Sequence, residues 1–191
     1  MLRDGCPAET AAWHNQKMML KLFEIEIKVN DLAQKIGAPL NILPTYGYSE
    51  QTARPHVEVN SRAYYYVVAQ SGQEVSRYAT LDVDELLYKI FADVTLSLAI
   101  TQAEENRIEN QDIRRMVFVN QIELLTRLSP QWGERASQEI AQILRQAPFD
   151  DDGSLRAAFW KSLRDQGYSV AQANKMAHDK YPYPNPKKSN G

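Results

Sequence analysis

The stretch ARPHVEVNSRAYYYVVAQSGQEVSRYATLDVDELLYKIF (Ala53 to Phe91) decides the fold. Its runs His56 to Asn60 and Tyr64 to Gln70 are rich in β-branched and aromatic residues, with Asn60-Ser61-Arg62 between them. Ser71-Gly72-Gln73 turns the chain again, into a third run near Glu74 to Thr80. Connections this short join antiparallel neighbours, because parallel pairing needs a crossover of about a dozen residues or more. The spacing therefore predicts a small three-stranded antiparallel meander. Tyr64, Tyr66 and Val68 share one face; Tyr65, Val67 and Ala69 share the other. Both faces are fairly apolar, so helices are expected over at least one.

Working outward, Asp82 with Glu85 three residues on resembles a capping arrangement, and Asp84 adds negative charge where the helix dipole favours it. Val83, Leu86, Leu87, Ile90, Phe91, Val94 and Leu98 line one wide face of a helix running to about Glu104. A second helix from about Gln111 turns Ile113, Met116, Val117, Leu124 and Leu128 inward. Ser129-Pro130 starts a third, with Trp132, Ala136, Ile140, Ile143 and Leu144 as its stripe and Pro148 as its stop. Upstream, Met18, Leu22, Ile25, Val29, Leu32 and Ile36 form one helical face, ended by Gly37 and Pro39. The string FEIEIKV within it also alternates like a strand; the longer register and the Gly stop favour helix. Asn41 to Pro55 reads as a loop.

Phe149-Asp150-Asp151-Asp152-Gly153 is the clearest boundary. Beyond it, Leu155, Ala158, Phe159 and Leu163 suggest a short helix ended by Gly167, and Ser169 with Gln172 caps another. The prolines of the tail from Tyr181 favour extended chain. The expected fold is α+β: an N-terminal helix, the meander, then a mainly helical C-terminal part. It divides into an N-terminal segment (1–17), an α+β domain (18–152), a helical extension (153–180) and a Pro-rich tail (181–191).

A net charge of −2 gives no nucleic-acid footprint. A single cysteine, Cys6, excludes an intrachain disulfide and fits a reducing compartment; a cytoplasmic location is expected. The first twenty residues hold no apolar signal core, and no window approaches eighteen uninterrupted apolar residues, so no membrane partner is expected.

Reaction chemistry is sparse. His14, His56 and His178 lie in three distant segments, and none has metal-ligand spacing to an acid or cysteine. His56 is a base only if another segment supplies a carboxylate; the plainer reading is a strand-end histidine. Nothing near Cys6 in sequence would activate it as a nucleophile. Gly72 and Gly153 are isolated turn glycines, so no phosphate-cradling loop exists, and no cofactor is expected. Asp150, Asp151 and Asp152 cannot all face one ion and read as a solvated loop. The three tyrosines Tyr64 to Tyr66 have only Arg62 and Arg77 at hand, too little for base stacking along a phosphate chain. Glu104, Glu105, Arg107, Glu109, Asp112, Arg114 and Arg115 form the densest charged cluster, suited to structural ion pairs or to partner recognition. Trp132 and Arg135 are residue types that dominate interfaces, although a core role for Trp132 is the simpler one.

Taken in order, LPTYGYSE (Leu43 to Glu50), ARPHVEV (Ala53 to Val59), the run from Tyr64 to Phe91, RIENQDIRR (Arg107 to Arg115), QIELL (Gln121 to Leu125), Trp132 and PFDD (Pro148 to Asp151) resemble the immunity protein 63 family. The resemblance leaves out residues from Gly153 onward and most of the first seventeen. It implies a non-enzymatic antidote that binds the C-terminal domain of a cognate bacterial toxin and blocks it. An acidic patch would serve such a role, with Asp82, Asp84, Glu85, Asp150, Asp151 and Asp152 as candidates and Trp132 beside them. Two other readings stay open: an adaptor or loading chaperone that uses residues 153–191, and a small hydrolase built on His56.

Overall fold

The structure, a computed structural model, describes residues 19–185. Cys6, His14, Met18 and the last six residues of the tail lie outside the described residues. The three runs read as strands form β2 (Thr52–Val59), β3 (Tyr64–Gln70) and β4 (Gln73–Thr80). A two-residue strand, β1 (Thr45–Tyr46), pairs with β2 in parallel. The sheet is therefore four-stranded and mixed, in the order β1-β2-β3-β4, where a three-stranded antiparallel meander was expected. Two residues carry no periodicity, so β1 could not be told from the loop around it. The chain returns to β2 through Gln51 and Ala53, whose φ values of 58° and 66° are left-handed. A short return suffices because only two residues must align.

Strand β2 also starts earlier than expected, at Thr52, and contains Pro55. Its register with β3 slips between Thr52 and Pro55, an irregularity of the kind that tolerates a residue without an N–H. One sheet face carries Val57, Val59, Tyr64, Tyr66 and Tyr78 and packs into the core. The other carries His56, Glu58, Tyr65, Val67 and Arg77, as alternation along paired strands requires.

Helix α1 (Leu22–Ile36) buries Ile25, Val29, Ala33 and Ile36. It ends at Gly37, in the left-handed conformation at φ 69°. There the N–H of Ala38 reaches Ala33 O and that of Gly37 reaches Gln34 O, which satisfies two end carbonyls. Helix α2 (Val83–Glu105) is the centre of the molecule. It packs on β3 and β4, while α3 (Arg114–Leu128) lies against both α1 and α2, and α4 (Pro130–Gln146) against α3. By length and composition α2 could cross a bilayer, but nine of its residues, Phe91 and Ile90 among them, are buried in this core. Core burial accounts for its apolar character.

Trp132, Ala136 and Ile140 are buried along α4, but Ile143 is 47 % exposed, contrary to the expected stripe. The helix outruns its partner there: α3 begins only at Arg114, so the last turn of α4 has less to pack on. Beyond it, α5 (Gly153–Asp165) and α6 (Val170–Lys180) form a hairpin packed chiefly on itself, with Leu163, Ala173 and Ala177 buried. Ser169 and Gln172 make the expected capping box of α6.

The α3–α4 contact rests on Gly133. A Cβ there would clash with the Thr126 hydroxyl and lie 3.0 Å from the Thr126 Cα. Ala in a helix gains up to about 1 kcal/mol over Gly, whereas overpacking costs about 1–3 kcal/mol. The obstacle includes backbone, so the cost should win. Gly133→Ala is expected to lower unfolding stability by about 1 kcal/mol or more, read from urea denaturation; a variant as stable as the parent would remove this account of the packing.

Candidate functional site

At the start of α2, the chain leaves β4 through Leu81, whose side chain is 74 % exposed. Asp82 is the N-cap, and its carboxylate accepts the N–H of Asp84 at 2.8 Å. Glu85 does not complete a capping box. The Asp82 N–H instead donates to Thr80 Oγ1, and Glu85 takes two hydrogen bonds from Arg135 of α4, at 2.8 and 2.9 Å. Arg135 also reaches Glu139 at 3.0 Å and lies 3.9 Å over the ring of Tyr88. The Tyr88 hydroxyl donates to Glu139 at 2.8 Å. Burial, then that carboxylate, pushes the Tyr88 hydroxyl well above its usual range. The result is a pre-ordered mixed-charge framework across α2 and α4.

Trp132 belongs to this end, as a core residue. It is 5 % exposed, with ring centroids 6.1 Å from both Phe91 and Tyr88. Its indole N–H donates to Asp84 at 3.2 Å. The pair lines a cleft of about 330 Å³ with Lys28, Asp31 and Lys35 of α1. Among the described residues, neither Asp82 nor Asp84 has an ion-pair partner. Asp82, Asp84, Glu85 and Trp132 are thus brought together by the fold.

Asp150, Asp151 and Asp152 are not part of that group. They stand beyond the far end of α2, a helix about 35 Å long at 1.5 Å per residue. Asp151 pairs with Arg115 through bonds of 2.9 and 2.7 Å and accepts the N–H of Asp112. Asp112 pairs with Arg114 at 2.6 Å and accepts the N–H of Asp150. Arg114 further donates to the carbonyls of Ala147 and Pro148, and both arginines lie over the ring of Phe149. Asp150 binds Arg156 of α5, which is 8 % exposed. Three residues of the sequence's charged cluster, Asp112, Arg114 and Arg115, therefore belong to a clasp that ties the α5–α6 hairpin to the body, while Glu104, Glu105, Arg107 and Glu109 are exposed. Only Asp152 of the three is exposed and without an ion-pair partner.

On the sheet's other face, Arg77 bridges Glu58 at 2.8 Å and Glu74 at 2.7 Å and lies 5.1 Å over the ring of Tyr65. Glu74 and Arg77 would face opposite ways in a regular strand. A β-bulge at Val75 adds one residue and returns both to one face. The Arg77 guanidinium, and after burial's smaller opposition the His56 ring, holds the Glu58 carboxyl below the usual range. His56 Nε2 lies 3.0 Å from Glu58, while its Nδ1 is buried with no partner. The carboxylate beside it comes from its own strand, two residues on. Among the described residues, no group of three His, Cys, Asp or Glu side chains converges to hold a metal ion. Leu81, Glu139 and the bulge cluster were missed in the sequence. A lone Leu between Thr80 and the cap Asp82 was the available signal for the first; the others depend on pairing between elements.

The clasp has a pH signature. Hydrogen bonds from Arg115 and from the Asp112 N–H hold the Asp151 carboxyl down at about 2. A depressed folded-state value means its contribution is fully present above the unfolded value of about 3.9 and is lost as pH falls through about 2. Asp151→Asn should be less stable than the parent at neutral pH, and the gap should close as pH drops from about 4 to 2. Thermal melts of both proteins across that range measure it; a gap independent of pH would contradict the pairing.

Residues 60–142 match the family model described as immunity protein 63. No curated protein and no solved structure matches the chain. The matched segment runs from the β2–β3 turn through most of α4, and so contains the start of α2, the Arg135 framework and Trp132, while excluding the α5–α6 hairpin. Over residues 60–142 the chain is thus similar to the immunity protein 63 family, in agreement with the resemblance read from its residues.

Proposed function

We propose that this protein is an immunity protein that binds the C-terminal domain of a cognate bacterial toxin and blocks it sterically and electrostatically, in the cytoplasm of the producing cell. The family match over residues 60–142 carries this reading. The toxin-facing surface proposed is the start of α2: the unpaired Asp82 and Asp84, the exposed Leu81, and the Glu85–Arg135–Glu139 framework behind them. An immobilised charged frame loses little freedom on binding, and unpaired acids beside an exposed apolar anchor suit a basic partner surface. Trp132 supports the surface from beneath, and the clasp acids Asp150 and Asp151 are occupied within the chain.

Co-expression with the toxin domain encoded beside its gene tests the function. The two should co-purify, and growth should be rescued; absence of both would overturn the reading. For the surface, Asp82→Asn with Asp84→Asn removes charge while keeping a good helix cap. Calorimetry should show about tenfold weaker toxin binding, most marked at low salt, while Asp152→Asn should have little effect. Unchanged affinity in the double variant would place the toxin elsewhere.

An adaptor reading draws on one observation: the α5–α6 hairpin lies outside the matched segment and packs chiefly on itself. Deleting residues 153–191 separates the two, since an antidote built on the matched domain still protects and an adaptor loses its partner.

A further inference from the structure

The α5–α6 hairpin differs in charge from the rest of the chain. Residues 153–180 hold five basic side chains (Arg156, Lys161, Arg164, Lys175, Lys180) and two acidic ones (Asp165, Asp179). That is three net positive charges on a chain whose formal net charge is −2, leaving five net negative charges on the remainder. Between α5, α6 and the start of the tail lies an open groove of about 710 Å³. Its walls present Arg156, Trp160, Lys175, His178 and Tyr183 over a floor of small residues such as Ala157 and Ala177.

The groove already holds extended chain. Arg156 donates to the carbonyls of Tyr181 and Pro182 at 2.9 and 3.3 Å, and the Tyr183 ring lies 4.0 Å from its guanidinium. The His178 ring is 5.2 Å from that of Tyr183. Residues 181–183 thus run along one side. The other side has unmet capacity. Lys175 is exposed with no partner among the described residues.

We propose that this groove binds an extended acidic peptide segment of a partner protein, laid beside the tail. A carboxylate of the segment meets Lys175 and His178, and the aromatic rings cover the backbone. Charge selects the sequence class, because the hairpin is basic. Shape selects a chain over a single small ion, because the groove is long, open and already accommodates extended backbone.

The test uses the full-length protein and a fluorescein-labelled octapeptide of alternating Glu and Pro, whose prolines keep it extended. Gln/Pro and Lys/Pro peptides serve as controls in fluorescence polarisation at low salt. The Glu/Pro peptide is expected to bind at micromolar concentration, about tenfold or more tighter than the Gln/Pro peptide. Lys175→Glu, an exposed change that leaves the fold intact by circular dichroism, should weaken it about tenfold. Equal binding of the Gln/Pro peptide, indifference to Lys175→Glu, or no binding of any peptide overturns the proposal. So does displacement by sodium glutamate or phosphate at the peptide's own concentration, which would make the groove a small-anion site. No toxin enters the assay, so this inference and the toxin reading fail separately.

Discussion

The structure depends on the burial of one helix. α2 meets the sheet on one side and the α3–α4 pair on the other, where Trp132 stacks on Phe91 and turns its edge to Tyr88. A helix that is apolar on most of its surface needs cover all round, and here the sheet, α1, α3 and α4 supply it. Burying an aromatic pair of this kind is worth more than its area alone. The same contact positions the exposed chemistry. With Trp132 seated, its indole N–H holds Asp84, and one turn along α4 Arg135 is brought onto Glu85. The acidic start of α2 is therefore a rigid consequence of core packing.

Charge is divided along the molecule by the same architecture. At the start of α2, Asp82 and Asp84 form no ion pair among the described residues; beyond its far end, Asp112, Asp150 and Asp151 are satisfied by Arg114, Arg156 and Arg115. Ion pairs of this partly exposed kind add little stability individually. Their geometric effect is larger, because backbone N–H groups of Asp112 and Asp150 are tied into the same cluster and fix the angle at which α5 leaves the body. The hairpin, basic over residues 153–180, thus stands at the opposite end from Asp82 and Asp84, with the exposed Asp152 directly before it. Two surfaces of opposite sign on one chain favour two different partners, or two parts of one.

Much of this was legible beforehand. The three antiparallel strands, all six helices, the Gly37 stop and the Ser169 box follow from period, β-branching and cap chemistry, which are local. What escaped was non-local. β1 is two residues held by His56 and Val57 of another strand. Glu74 and Arg77 share a face only because of the bulge at Val75, which single-strand alternation cannot reveal. Ile143 fits the α4 stripe by spacing, yet α3 offers it little to pack on. Asp82 and Glu85 have capping-box spacing, but a guanidinium from α4 outcompetes the Asp82 N–H for the Glu85 carboxylate. Of the proposed site, the residue types were readable and their grouping was not.

The sequence by itself determined which runs are helices and which are the three longer strands, and the family likeness of residues 60–142, because these rest on side chains read in order along one covalent chain. Only the tertiary structure decided which acids are free. Asp82, between Leu81 and Val83, and Asp151, between two other aspartates, are both acids that the sequence offers to a partner. One caps a helix and keeps its charge unpaired; the other meets Arg115, thirty-six residues away in the chain, and is held ionised as part of a clasp. Charge availability depends on partners in space, and space is what folding adds.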